Sequence, residues 1–453
     1  MTSVATPAPD QSLSESAADK AMFSTIVWRL MPLLFLAYGV NYIDRINIGF
    51  AKLQMAQRLG WGDTVFGIGA GIFFIGYLVF EIPSNLLLDR IGARKTLLRI
   101  MFCWGIAESA LMLVRTPLQF YVVRFVLGSF EAGFFPGVML YLTYWFPVAR
   151  RGRIISKFMI AMPIAGILAG PTSGATLKFL DGFGGWQGWQ LMFLVQGVPA
   201  SILGVLIFFF LTDRPEQARW LSPAQKQRLL ELLGADRADA GATAHGSLLR
   251  VLRDPLVWAF TITYFLSLGG SYTLAFMLPS IVRSWGIPDP FTVGLCSVIP
   301  YVVTVIALIV FGSSSDHFRE RRWHFASSLL ISAGGAVLIL LAQGHVIVQL
   351  AALSAAVPGT IVNAAMLFAL ATERLPKRDA AAGIAMISCF GNLGSAVAPV
   401  ITGRLVESTG KPMMSLYFMI AVYLIAVIWL LLRVPARATA ASGEVHRRGT
   451  AGI

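Results

Sequence analysis

Runs of about 20 apolar residues recur along almost the whole chain, divided by short polar breaks rich in Arg, Lys, Gly and Pro. That length suits a helix crossing the hydrocarbon core of a bilayer. The pattern predicts twelve spans, at about 26–49, 65–88, 97–114, 118–141, 156–178, 190–211, 256–283, 291–312, 325–342, 346–371, 380–404 and 415–432. The expected fold class is therefore an all-α integral membrane protein. Between spans 6 and 7 the pattern turns polar, and Ser222-Pro223 opens a short helix there with good start signals. The organisation expected is a disordered tail (1–25), a six-helix bundle (26–211), a linker with an interfacial helix (212–255), a second six-helix bundle (256–432) and a second tail (433–453).

Composition agrees with the pattern. Only 13% of residues are charged and 56% are hydrophobic, against about 25% charged in an ordinary soluble domain. The net charge of +13 reads as a topology signal, and no nucleic-acid partner is expected. With an even number of spans both tails share one side. Placing that side in the cytoplasm puts all but nine of the 36 Lys+Arg at inner loops and span ends, as the positive-inside rule asks. The start of the chain is Ser/Ala/Pro-rich and acidic, unlike a secretory signal. An inner (plasma) membrane location and a monomer among lipids follow as expectations. The three cysteines stand singly in apolar spans, and all five histidines fall in loops or at span ends. No metal site or cofactor is expected.

Four charges change the picture. Asp44 and Arg45 lie inside span 1, and Arg124 and Glu131 inside span 4. Each ionised group near the bilayer centre costs about 2.5–3.5 kcal/mol, so an unpaired set costs on the order of 10 kcal/mol. Two cations able to bind an anion, beside two acids able to carry a proton, point to a transporter that couples protons to an organic anion. Tyr38, Asn41, Tyr42 and Arg45 recur at i, i+3, i+4, i+7 and form one polar stripe. Arg45 can hold a carboxylate with a two-point fork, or belong to a structural Asp–Arg network. Seven residues separate Arg124 from Glu131, so both point the same way along a helix. They could form a permanent salt bridge, or Glu131 could load a proton on one side and discharge it on the other.

The halves echo each other. Asp89-Arg90-x-Gly92-x-Arg94-Lys95 follows span 2, and Asp316-His317-x-x-x-Arg321-Arg322 follows span 8, offset by 227 positions. Gly170-Pro171 and Ala398-Pro399 repeat at nearly the same offset. Duplicated bundles related by an axis along the membrane normal are a known transporter design. Asp89 could accept bonds from neighbouring helix N-termini. Arg90 and Arg94 could bridge the halves as a latch that breaks on opening.

The loop 85–95 resembles the signature loop of the major facilitator superfamily, with Asn85 where Gly is usual. NYIDRINIGFA (41–51), GIFFIGYLVFEIPSN (71–85), EAGFFPGVMLYLTYWFP (131–147) and the second loop SSSDHFRERRWH resemble its anion:cation symporter branch, and most of all tartrate, phthalate and hydroxyphenylacetate permeases. The resemblance implies two six-helix bundles with pseudo-twofold symmetry and proton symport by alternating access. It makes Arg45 the substrate-carboxylate ligand and Asp44 a proton-site candidate that also balances charge. It makes Glu131 the coupling acid with Arg124 its partner or gate, and Tyr77 a cavity tyrosine. Asp89, Arg90, Arg94, Asp316 and Arg321 become gating candidates. In the second half the 227 offset sets Tyr272 against Arg45. Ser388, Asn392 and Ser395 share a face, with Asn392 in an FGNLG-like motif that makes it a substrate ligand.

The alternative is a proton-driven effluxer of metabolites or drugs, which would favour the glycine/proline motif of antiporters in span 5; only its Gly-Pro is present. An intramembrane enzyme is disfavoured, since no Ser/His, paired-acid or metal constellation falls at mid-membrane.

Overall fold

A computed structural model of the chain describes residues 16–240, 248–376 and 379–435, without the side chains of Asp89, 235–240, 248, 249 and 381. The described residues form helices and turns and no strand. Twelve helices are long and apolar enough to cross a membrane. Spans 1–6 are Ala17–Leu59, Asp63–Leu88, Ala93–Leu113, Pro117–Thr143, Val148–Phe179 and Gly188–Phe210. Spans 7–12 are Pro255–Arg283, Pro290–Phe318, Arg322–Leu341, Val346–Arg374, Ala382–Thr409 and Met414–Arg433. The halves meet chiefly where span 2 packs on span 11 and span 5 on span 8. Gly170 and Gly294 face each other at the second contact, and a Cβ on either would strike the other's carbonyl. Such small residues are what let helices approach closely in lipid.

Span 1 starts earlier than expected. Residues 17–25, read as disordered tail, are the first turns of a 43-residue helix. The Ser16 side chain accepts from the Asp19 N–H at 3.0 Å and caps it. Met22 and Phe23 are buried, with Phe23 stacked on Phe146, and Asp19 pairs with Arg228 at 3.2 Å. Residues 1–15 and 436–453 of the two expected tails lie outside the described residues.

The linker helix runs Pro223–Ala240, and Arg228 on it is the partner of Asp19. Tyr141 donates to the Thr212 carbonyl at 2.6 Å and Trp220 stacks on Trp145 with centroids 5.4 Å apart. The first stretch of the linker is thus bonded to the first bundle. The side of the membrane that carries it is called the linker face below.

Span 4 is interrupted. One helix ends at Glu131, Ala132 adopts an extended ψ of 135°, Gly133 sits at φ 83°, and a second helix begins at Phe134. Sequence patterning gave no sign of this break. Gly133 is the residue that permits it, because a left-handed backbone costs an L-residue about 1–2 kcal/mol, and a Cβ there would also run into Ser84. Gly133→Ala is expected to lower the thermal unfolding midpoint in detergent; a midpoint equal to that of the parent protein would show that the break is not under this constraint.

Candidate functional site

The break in span 4 leaves Glu131 on the last turn of a half-helix, where backbone carbonyls make a carboxylate unwelcome. Arg45 of span 1 compensates. Its Nε donates to Glu131 Oε1 at 2.5 Å, with the acid wholly buried and the arginine side chain 15% exposed. The Arg45 guanidinium lies 4.9 Å from the centre of the Tyr77 ring. Its Nη1 is 3.5 Å from the hydroxyl of Tyr272, in the opposite half. Arg45 Nη2 and Glu131 Oε2 are buried without partners. Four sequence-predicted residues, Arg45, Glu131, Tyr77 and Tyr272, therefore come together, and the 227-residue offset proves to be a physical contact across the pseudo-axis.

The Arg124–Glu131 salt bridge, one of the two readings the spacing allowed, does not form among the described contacts. Arg124 turns toward span 2, where its Nε donates to the Gly69 carbonyl at 3.2 Å and its guanidinium covers the Phe73 ring at 4.7 Å. Its two terminal nitrogens have no partner, although Glu108, Glu131 and Asp44 all act on it electrostatically. Asp44 does not balance Arg45 through contact either. Neighbouring side chains on a helix diverge, and Asp44 faces span 3, where it accepts from Trp104 Nε1 at 2.6 Å.

The stripe on span 1 is divided among several partners. Tyr38 stacks on Phe158 with centroids 4.6 Å apart, and Tyr42 meets the hydroxyl of Tyr301 at 3.4 Å. Asn41 is fully buried with both amide atoms unpartnered. Ser388 and Asn392 make no described side-chain bond to Arg45 or the two tyrosines. Asn392 lies where span 11 is divided into two helices.

The loop motifs bond within their own halves. Arg94 donates to the Phe208 carbonyl at 2.8 Å (Nε) and 2.5 Å (Nη2), while its backbone N–H reaches Asp213 at 2.8 Å. It fastens span 3 to the end of span 6, instead of bridging the halves as expected. Arg90 is exposed, and the Asp89 side chain lies outside the described residues. Arg321 pairs with Asp316 at 2.5 Å and with Glu373 at 3.0 Å, both in the second half.

Sequence reasoning missed the polar seams between halves on the face opposite the linker. Glu407 of span 11 accepts from the Thr64 N–H at the start of span 2, at 2.7 Å. Lys178 pairs with Asp289 at 3.0 Å, and Arg283 donates to the Leu53 carbonyl at 2.5 Å. Within the first half Lys52 pairs with Asp63 and points its ammonium at Met277 Sδ, 3.6 Å away in the second. The signal was available, since Asp63 and Asp289 open spans 2 and 8, nearly one repeat apart. Hydrogen bonds from Thr292 and the Lys178 ammonium hold the Asp289 carboxyl below its usual range. A lowered value means the pair is intact above the ordinary carboxylate range and is lost only as pH falls through the lowered one.

Two helical bundles packed about a buried ion pair and joined by polar seams on one face are the architecture of a membrane transporter. The sequence profile described as Major Facilitator Superfamily matches residues 34–288 and 260–451. A protein of Agrobacterium vitis that carries the name of a tartrate transporter is 41% identical over 89% of each chain. A quinolone resistance transporter of Acinetobacter baumannii is 39% identical over 90% of this chain and 94% of its own. Among solved structures, the inward-open xylose transporter XylE of Escherichia coli superposes with a TM-score of 0.70, at 16% identity over 93% of this chain and 98% of that one. The chain belongs to the major facilitator superfamily, and it is a membrane transporter, not an enzyme.

Glu407→Ala should loosen the seam on the face opposite the linker. Ala70 of span 2 is buried behind this seam, beside Lys52 and Met277; in a chain carrying Ala70→Cys, alkylation by an impermeant maleimide applied to that face should be faster with Glu407→Ala than without it, and equal rates would mean the contact does not hold the face closed.

Proposed function

We propose that the protein imports an organic anion by proton symport, with alternating access of the site around Arg45. The observation that carries this reading is the buried Arg45–Glu131 pair, which has one unpartnered atom on each side and the other half's Tyr272 at its edge. An incoming carboxylate competes with Glu131 for the guanidinium. Protonation of Glu131 removes that competitor and leaves the arginine fork for the substrate. Proton and anion binding therefore favour each other, and the coupling is reciprocal. The site needs no cofactor, because the proton itself is the coupling ion. One proton with one monoanion moves no net charge, and each further proton would add about 2.3 kcal/mol per 100 mV of membrane potential.

The tartrate-transporter name of a relative supports a carboxylate substrate. Arg45 is the arginine of the cluster that faces the opposite half, and with the rings of Tyr77 and Tyr272 beside it, it favours one carboxylate on a hydroxylated or aromatic body, such as a sugar acid or an aromatic acid. Inner-membrane placement with both tails cytoplasmic follows the charge bias of the loops. The relative named for quinolone resistance favours a second reading, proton-driven efflux. Proteoliposomes separate the two: symport fills the vesicle when the outside is acid, and antiport fills it when the inside is acid.

Arg45→Ala is expected to weaken anion binding by at least about tenfold, the scale of one charge-assisted hydrogen bond, as read by a thermal-shift titration with carboxylates. Glu131→Gln should exchange substrate across the membrane yet fail to concentrate it under a proton gradient. If Glu131→Gln still accumulates substrate, Glu131 is not the coupling acid.

A further inference from the structure

Behind the Arg45–Glu131 pair lies a third buried acid. Glu108 of span 3 is 0% exposed. Its Oε1 accepts from Asn47 Nδ2 at 2.6 Å, and its Oε2 has no partner. The same Asn47 nitrogen donates to Gln196 Oε1 at 2.9 Å, and Gln196 Nε2 donates to Ser173 Oγ at 2.9 Å. One turn before Glu108 on span 3 stands Trp104, the donor to Asp44, and Asp44 and Asn47 are likewise one turn apart on span 1. Spans 1 and 3 thus face each other through two rungs, Trp104–Asp44 and Glu108–Asn47. Asp44 Oδ1 is as bare as Glu108 Oε2. Each carboxyl has one oxygen fixed by a neutral donor and one oxygen free to carry a proton.

The charge count requires such a proton. The groups that face Glu108 are Asp44 on span 1, and Arg124 and Glu131 on span 4; span 6 offers the neutral Gln196. Among the buried groups, Asp44, Glu108 and Glu131 against Arg45 and Arg124 leave one uncompensated negative charge, and Glu81 of span 2, which also acts on Arg45, is only partly buried. Carboxylates confined together do not all ionise, and one proton shared by a pair is the usual resolution. Glu131 has the direct bond to Arg45. No described ion pair joins Asp44 or Glu108 to an arginine.

We infer that Asp44 and Glu108 share a single retained proton behind the transport site. The proton sits on Asp44 Oδ1 or Glu108 Oε2 and stays there while Glu131 takes up and releases the transported one. The inference rests on the symport reading for its effect on transport; the shared proton itself does not depend on it.

Glu108→Gln is a mild change, because its amide oxygen can still accept from Asn47 while the charge is gone. With that charge removed the remaining two acids balance the two arginines, and no retained proton is needed. Infrared spectra of the purified full chain near neutral pH should show a protonated-carboxyl band that is lost in Glu108→Gln and equally in Asp44→Asn, since removing either acid frees the other to ionise. A band that survives both substitutions, or that is absent from the parent protein, overturns the inference. In proteoliposomes the alkaline limb of the uptake profile should stay where it is in Glu108→Gln, because Asp44 and Glu108 carry one negative charge together with the retained proton and Asp44 alone carries the same charge without it. If the parent protein shows proton-driven uptake and the limb moves by about one pH unit or more in Glu108→Gln, Glu108 carried its own charge and the inference is overturned. A parent protein with no proton-driven uptake overturns the symport reading instead, and leaves the infrared result to decide the shared proton.

Discussion

The ion pair between Arg45 and Glu131 governs the interior of the molecule. Removing one partner of a buried pair typically costs about 3–5 kcal/mol, because the other charge is left uncompensated. The protein meets this constraint by placing the acid at the broken end of span 4 and bringing the arginine to it from span 1. In the proposed symport a substrate anion takes the arginine only when the acid is neutralised, so the cost of an unpaired charge would become the source of coupling. Broken helices at membrane depth are tolerated where they are buried in protein or open on a cavity. Here the break is what presents the acid.

The duplication has become chemically unequal. The first half holds all five ionisable groups of the cluster: Asp44, Arg45, Glu108, Arg124 and Glu131. The second half answers with neutral groups. Tyr272 stands at the repeat position of Arg45 and touches it. Farther in, Asn363 donates to Ser271 at 3.1 Å, and Ser271 lies 3.1 Å from the Tyr423 hydroxyl. A rigid neutral half can move against a charged one without moving a buried charge through lipid. The seams opposite the linker face join the halves through span ends, where polar groups cost less to separate.

Twelve spans, the repeat and the offset that sets Tyr272 against Arg45 were legible in the sequence, because apolar length and motif spacing are local properties. The partner of Glu131 was not. Seven-residue spacing puts Arg124 on the same face, but the Gly69 carbonyl and the Phe73 ring on span 2 capture its guanidinium, and Arg45 arrives from another helix. The break at Gly133 was hidden for a similar reason: glycines are common in spans, and only the packing against Ser84 shows which one adopts a left-handed backbone. Arg94 was read as a bridge between halves because its charge and loop position fit that role. The carbonyl it binds belongs to the end of span 6, which no spacing argument could place. Glu108 gave no signal beyond being an acid in an apolar run.

In the proposed symport a carboxylate takes Arg45 only when Glu131 takes a proton. The most direct test of this is the number of protons bound when substrate is added to purified protein in weakly buffered solution, followed with a pH indicator. Uptake of up to one proton per substrate bound is expected, rising toward one at alkaline pH, with none in Glu131→Gln. Substrate binding without proton uptake in the parent protein across that range would contradict it.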